Sequence, residues 1–529
     1  VTSKTLVIGV SERAKAPLLV LPSLGNLVFV SVLFVLLFRS GQGLLGDGDT
    51  GYHIKTGEII LRTWQVPRSD IYSFHSPALP WTAHEWLSEI IMALVFGLSG
   101  LTGVVIFFAL LLAITHWLLY QTLRARSDDA LLCLAITLLA TATSSTHWLA
   151  RPHAFSLLFT VIWCHGLDRF QQKSAPTLIY LPFLMLAWVN LHGGYFFGLV
   201  LLALYLAGNV FHSLVGSPES SEQHRKKAVA LGLALIASVF ACLVNPYGWN
   251  ILLFPLRLTS DRFVMDRVIE FMSPNFHSDI PFKYMLPATI AALALSRRPL
   301  NLIEAMLAAL LTYMALYSAR HISLFAVVVA PLLLKAAESL LREIPKPVQS
   351  IYRRRSDNLA AIDGKVSGYF WPPISFLLVI GLALAGSIQF QFSEKFFPVK
   401  ASEFLKGEKI SGKMFNNDEF GDYMIFSLWP EYRVFMDGRS DMYGEKFGSD
   451  YLRIANVQPG WQDLLKKHDI SWVIFDTPSA LAAALREQTD WQPIYSDPVA
   501  TIFVKKEPLH EALLKKYAGV RVEQGAAGR

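Results

Sequence analysis

Apolar positions run in long unbroken blocks along most of this chain, then give way after about residue 389 to short strand-like and helix-like periods. Apolar runs lie at residues 18–38, 101–123, 130–146, 155–166, 177–188, 195–215, 229–244, 284–296, 302–317, 322–334 and 373–389. A helix needs about 20 apolar residues to cross a bilayer, so the shorter runs must extend into their polar flanks. The pattern predicts a polytopic α-helical membrane protein with about 11 transmembrane helices. Residues 84–97 read as a helix lying on the membrane surface.

Beyond the last run the periodicity becomes that of a soluble fold. Residues 413–416, 433–437, 472–476 and 501–505 read as strands, and 422–429, 461–468 and 479–488 as helices. This predicts a C-terminal α/β domain with a partly parallel sheet. The boundary is placed near Phe390, giving a membrane domain of 1–390, with an outer loop at 39–100, and a soluble domain of 391–529. The tail from Gln524 is expected to be disordered.

Composition agrees with this division: 53% of the 529 residues are hydrophobic and 17% charged, too few charges to cover a soluble protein. The net charge of +6 is scattered in short basic groups between apolar runs, which argues against nucleic-acid binding. Those groups also set the topology. Lys4, Arg13 and Lys15 precede the first run and place the N-terminus in the cytoplasm. Alternate loops then contain Arg124 and Arg126, Arg169 and Lys173, Arg225 to Lys227, Arg297 and Arg298, and the basic stretch 335–365. Every inner loop is basic, and an odd number of spans puts the C-terminal domain outside. Residues 245–283 are the exception, an outer segment carrying Arg257, Arg262 and Arg267. Cys133, Cys164 and Cys242 all fall in apolar runs, so no disulfide framework is expected. The absence of a small-residue cleavage site after the first run predicts a retained span.

With that topology, the chemically versatile side chains collect on one side of the membrane. Residues 43–58, GLLGDGDTGYHIKTGE, form an outer loop in which Asp47 and Asp49 stand among glycines, with His53 and Glu58 following. His84 and Glu85 open the surface helix. The outer ends of the spans add His147, Arg151, His153, Asn190, His192, Asn245, Arg320 and His321, whereas the inner ends hold only basic clusters. Ionisable groups at membrane depth are costly unless paired or in a watery cavity, which marks them as functional candidates. Arg151, His153, His192, Arg320 and His321 suit the phosphate of a lipid whose tail stays in hydrocarbon. Asp47 and Asp49 suit either a base acting on an acceptor hydroxyl or the ligands of a divalent cation such as Mg or Mn. Plainer roles exist for each: a turn for Gly-Asp-Gly-Asp, snorkelling for Arg151, and structural or interfacial contacts for the histidines. Asn245 before Pro246 reads as a helix terminator, and Asp437, Arg439 and Asp441 as a turn with an internal ion pair.

The DxD-like pair Asp47 and Asp49, the surface helix, the span count and the outer α/β domain together resemble the GT-C class of polyprenyl-phosphate-dependent glycosyltransferases. That class includes the oligosaccharyltransferase catalytic subunit, protein mannosyltransferases and the lipid A aminoarabinose transferase. The resemblance covers most of the chain in architecture, and Asp47 and Asp49 match a class motif in position. NPYG, SARHIS and FMDGRSDMYG look like segments of uncharacterised bacterial membrane proteins near this class. The resemblance implies an inverting enzyme in a bacterial inner membrane, with its C-terminal domain in the periplasm. It implies a polyprenyl-phosphate sugar donor, surrounding membrane lipids, and a periplasmic glycan, lipid or protein as acceptor. Asp49 or Asp47, with Glu85 and His84 as a second candidate base, would act on the acceptor while the Arg and His groups hold the leaving phosphate. The alternatives are a non-catalytic scaffold subunit with a GT-C-like frame, and a transporter.

Overall fold

The computed structural model describes residues 20–366 and 368–522. Lys4, Arg13, Lys15, the start of the first run and the tail from Gln524 lie outside the described residues. Ser23 accepts a hydrogen bond from the Asn26 amide and starts helix α1, Leu24–Val35. Two short helical segments, Leu36–Ser40 and Gly41–Leu45, carry it onward to the outer loop. α2, Asp49–Thr63, then packs against α3, Trp86–Arg124.

α3 breaks at Ser99 and Gly100, where Gly100 has φ +60°, a conformation that glycine adopts without cost. The break separates the expected surface helix from the span that follows it. Among the described residues, five helices are long and apolar enough to cross a membrane: Leu24–Leu45, Trp86–Arg124, Ala130–His147, Tyr195–Val215 and Ala319–Leu341. Shorter apolar helices lie at Pro176–Leu191, Phe282–Leu295, Leu302–Tyr317 and Trp371–Leu384.

The C-terminal sheet has four strands in the order β1 (Lys413–Asn416), β2 (Ile470–Asp476), β4 (Ala500–Lys505), β3 (Trp491–Ser496). β1 and β2 are parallel, and the other pairs are antiparallel. β2 is buried on both faces: Trp472 and Ile474 point into one apolar layer, Val473 and Phe475 into the other. Sequence reasoning missed β3 because Pro493 interrupts it. The strand sits at the sheet edge and shifts register between Pro493 and Tyr495, where a missing N–H is tolerated.

Residues 433–437 do not form the expected strand. Val434 makes a single bridge to Ser73, and the Asn416 side chain occupies the neighbouring backbone groups. Its amide oxygen accepts from Phe435 N at 2.7 Å and its NH2 donates to Met436 O at 2.7 Å, as a ladder partner would.

The outer loop and the soluble domain are joined through a common core. Tyr52, Tyr72 and Trp81 lie in the same apolar cluster as Met424, Ile425 and Trp472, while Tyr423 joins the membrane-domain core. The helix Asp418–Leu428 packs directly on α2. Gly48 and Gly51 permit this approach, since a Cβ at Gly48 would lie 2.9 Å from the Asp422 Cβ and one at Gly51 2.7 Å from the Phe426 Cβ.

A buried ion cluster ties the joint. Arg439 donates to Asp437 at 2.8 and 2.6 Å and to Asp70 at 2.7 Å, with its guanidinium over the rings of Tyr72 and Trp81. The internal ion pair read from the sequence is therefore present, and Asp70 extends it across the two domains. Burial raises the proton affinity of Asp70, but Arg439 and the Ser73 and Tyr72 donors outweigh it and hold the carboxyl below the usual range. The NPYG turn pins the same loop: the Tyr247 hydroxyl accepts from Ala83 N and donates to Pro67 O, each at 2.8 Å.

Candidate active site at the junction of the two domains

A cavity of about 820 Å³ opens between the ends of the membrane-type helices and the C-terminal α/β region. Apolar side chains such as Phe196, Val200, Leu310 and Leu324 line one part of it, and two separate polar clusters face into the rest.

The first cluster is built on the glycine-rich turn. Asp49 N donates to Asp47 Oδ1 at 2.8 Å, curling the loop so that both carboxyls point the same way. Ala150 N donates to Leu44 O at 2.8 Å and Thr50 Oγ1 to Ala150 O at 3.1 Å, which brings the next residue, Arg151, to the loop. Its guanidinium meets Asp47 at 2.5 Å, Asp49 at 2.5 Å and Glu270 at 2.8 Å. Asp422, from the C-terminal α/β region, stands beside Asp49: a Cβ at Gly438 would press on oxygens of both carboxyls. Burial pushes both of these carboxyls up. Burial acts on Glu270 in the same direction, but Arg151, His147 and Arg320 outweigh it and hold that carboxyl down at about 2.

The second cluster surrounds Glu85 at the start of α3. Trp86 Nε1 donates to Asn190 Oδ1 at 2.9 Å and Ser88 Oγ to Leu191 O at 2.5 Å, so His192 arrives beside Glu85. His192 Nδ1 receives the Gly194 N–H at 2.9 Å and faces Ser156 Oγ at 2.6 Å, which leaves the ring proton on Nε2, 3.4 Å from Glu85 Oε1. A Cβ on Gly194 would strike Ser156 Oγ, so only glycine brings that N–H within reach. His53 lies 3.5 Å from Glu85 Oε2, and His84 lies 3.7 Å from Oε1. His53 is 1% exposed, and burial holds its imidazole well below its usual proton affinity.

The remaining expected phosphate ligands differ in how far they are already occupied. His153 donates from Nε2 to His147 O at 2.9 Å, with the two rings 4.4 Å apart. His321 lies 3.3 Å from Met314 O. Arg320 lines the cavity with its guanidinium 4.6 Å from the centre of the Phe271 ring, and no carboxylate lies within ion-pairing distance among the described residues. Arg151 and His192, grouped with Arg320 in the sequence reading, belong instead to the carboxylate clusters.

The cation on which Asp47, Asp49 and Glu270 converge is a guanidinium. Among the described residues, no set of three His, Cys, Asp or Glu side chains is arranged to hold a metal ion.

No protein-family description matches this sequence, and no curated protein is similar to it in sequence. Solved structures do match. The Archaeoglobus fulgidus oligosaccharyltransferase in its apo form superposes with a TM-score of 0.54 at 10% identity, over 92% of this chain and 74% of that one. This chain has a GT-C-like fold. The same enzyme tethered to an acceptor peptide containing the NVT sequon gives a TM-score of 0.52 at 11% identity, over 91% and 74% of the two chains. The archaeal oligosaccharyltransferase AglB from A. fulgidus, in complex with an inhibitory peptide and a dolichol-phosphate, gives 0.54 at 10% identity, over 86% and 69%.

Within the GT-C-like fold, sequence reasoning overlooked Glu270, Asp422, Glu89 and Ser156. Glu270 lies in the outer segment noted only for its basic residues, and Asp422 reads like any helix-surface carboxylate. Glu89 had a usable signal: Glu85 and Glu89 stand one helical turn apart, opposite a helix in which His53 and Gly57 have the same spacing.

Proposed function

We propose that this protein is a membrane glycosyltransferase that moves a sugar from a polyprenyl-phosphate donor to an acceptor hydroxyl on the outer side of a bacterial inner membrane. The observation that carries this reading is Arg320, a guanidinium with no carboxylate at ion-pairing distance among the described residues, in a cavity lined by both apolar side chains and carboxylates. A phosphate needs such a cation, a prenyl chain needs such a lining, and sugar transfer needs a base within reach.

Glu85 suits the base better than Asp47 or Asp49. The aspartates are bound to Arg151, with Asp422 beside Asp49, whereas Glu85 faces the cavity among imidazoles. The acceptor O–H proton passes to Glu85 and the acceptor oxygen bonds to the anomeric carbon from the face opposite the phosphate. The bond from that carbon to the phosphate oxygen breaks, its electron pair stays on phosphate, and Arg320 stabilises the charge. Such a single displacement inverts the anomeric centre. Asp47, Asp49 and Arg151 form the fixed wall against which the sugar lies. A divalent cation at Asp47 and Asp49 would have to displace the Arg151 guanidinium from the same oxygens.

Native mass spectrometry of detergent-purified protein tests the donor site, because Arg320→Ala breaks no ion pair and should leave the fold intact. Wild type should retain a polyprenyl phosphate that the variant loses, and its mass would identify any attached sugar. Phospholipid alone in both samples, with no transfer from any prenyl-linked donor, would overturn the reading.

A further inference from the structure

Glu89 has no part in the chemistry above, yet it is a carboxyl group 1% exposed, one turn along α3 from Glu85. Its Oε1 lies 3.2 Å from His53 Nδ1, and its Oε2 has no hydrogen-bond partner among the described residues. The other charged groups that face it are Glu85 and Arg439; Arg439 spends Nε and Nη2 on Asp70 and Asp437, and its Nη1, which has no partner among the described residues, does not reach Glu89. An ionised carboxylate in that place would leave one charged oxygen bare and stand close to a second carboxylate. A carboxylic acid leaves only a carbonyl oxygen unpaired and uses its O–H on His53 Nδ1.

The proton count then fixes the row. With Nδ1 accepting from Glu89, the neutral imidazole of His53 carries its hydrogen on Nε2, which faces Glu85 Oε2 at 3.5 Å. His192 presents its own Nε2–H to Oε1. Each oxygen of Glu85 is therefore met by one imidazole N–H, and the tautomer of each ring is set from behind. His84, whose Nδ1 points to Thr82 O at 3.2 Å, completes the near surroundings of Glu85 together with Asp441 of the soluble domain. The contact is built into the backbone: a Cβ at Gly57 would collide with the Glu89 carbonyl oxygen, so glycine there allows α2 to deliver His53 between the two glutamates.

We propose that Glu89 is a neutral acid that positions His53 as its Nε2–H tautomer and so keeps Glu85 ionised and oriented for proton removal. Glu89 and His53 are positioning residues, and this role rests on the transferase reading above.

The test compares Glu89→Gln with Glu89→Leu in full-length protein. Glutamine keeps an N–H donor for His53 Nδ1, so Glu89→Gln should transfer sugar within about twofold of wild type, with an unchanged pH profile. Leucine removes the donor and frees the imidazole to turn over. The rate should fall at least about tenfold as Glu85 loses a donor. Infrared difference spectra at neutral pH, wild type minus each variant, should show a carboxylic-acid C=O band that belongs to Glu89. This band reports the protonation of Glu89 without any turnover, and reading it on Glu89→Gln alone suffices if the leucine variant does not fold. Glu89→Gln as inactive as Glu89→Leu, or no difference in the acid band, would overturn the proposal. A wild-type acid band together with no transfer from any donor would instead sink the transferase reading and leave the neutral acid standing.

Discussion

The two polar clusters of the cavity hold their carboxyl groups by opposite means. Around Arg151, carboxyls from two distant parts of the chain crowd onto one guanidinium and a third, Asp422, stands beside Asp49, so charge is balanced by a cation. Around Glu85, neutral imidazoles do the work of cations, each ring set by a donor behind it. A carboxylate tied to a guanidinium is held in place but weakened as a base, while one held by imidazole N–H groups keeps its charge available. The difference separates a group that shapes the site from one able to take a proton.

Removing the centre of each cluster should break the comparison most sharply. Arg151→Ala leaves three carboxylates facing one another and should cost about 3–5 kcal/mol of stability, read as a lowered melting temperature in detergent. Added Mg or Mn should recover part of that loss in the variant and leave wild type unchanged; equal shifts in both would show that Arg151 does not stand in the place of a cation. Glu85→Gln should do the reverse. Its melting temperature should stay close to that of wild type while transfer falls by about 10²–10⁴.

A finer cut uses the glycine beneath each cluster. A Cβ at Gly438 would collide with Asp49 Oδ1, and one at Gly57 with the Glu89 carbonyl oxygen. Gly438→Ala and Gly57→Ala should each cost about 1–3 kcal/mol by overpacking. Only Gly57→Ala should move the acid limb of the transfer profile, because only it displaces His53.

The mildest perturbation is acid acting on the joint that brings the clusters together. Asp70 is held below its ordinary value near 3.8, so its folded pKa is depressed. Its contribution is complete above that value and is lost as pH falls through the lowered one. Wild type should therefore become sensitive to protease between residues 385 and 398 at acid pH, and Asp70→Asn should show that sensitivity at neutral pH. A cleavage rate that does not change with pH would remove Arg439 and Asp70 from the joint.

Much of this could be read from the chain because membrane insertion imposes a strong pattern. Hydropathy located the long spans, and the break at Ser99 and Gly100 fell where the surface helix was expected to end. Asp47, Asp49 and Arg151 were each legible as candidates because charges at membrane depth are rare, although Arg151 was grouped with Arg320 and the histidines. Their pairing was not, since the sequence does not say that Arg151 meets Glu270 or that Asp422 comes from beyond the last span. The missed strand and the false one have local causes in Pro493 and Asn416, whose effects depend on what lies beside them.

Arg439 meets Asp70 across 369 positions of sequence, and Asp422 reaches Asp49 over a similar distance. During synthesis, the segment that carries Asp47 and Asp49 must therefore wait with part of its acidic wall missing until the C-terminal α/β region has been made and folded. A truncated or stalled chain would display Asp47, Asp49 and Arg151 without the partner surface that closes over them. Because the partner groups lie so far along the sequence, the site is complete only in a molecule in which both halves have been made and folded.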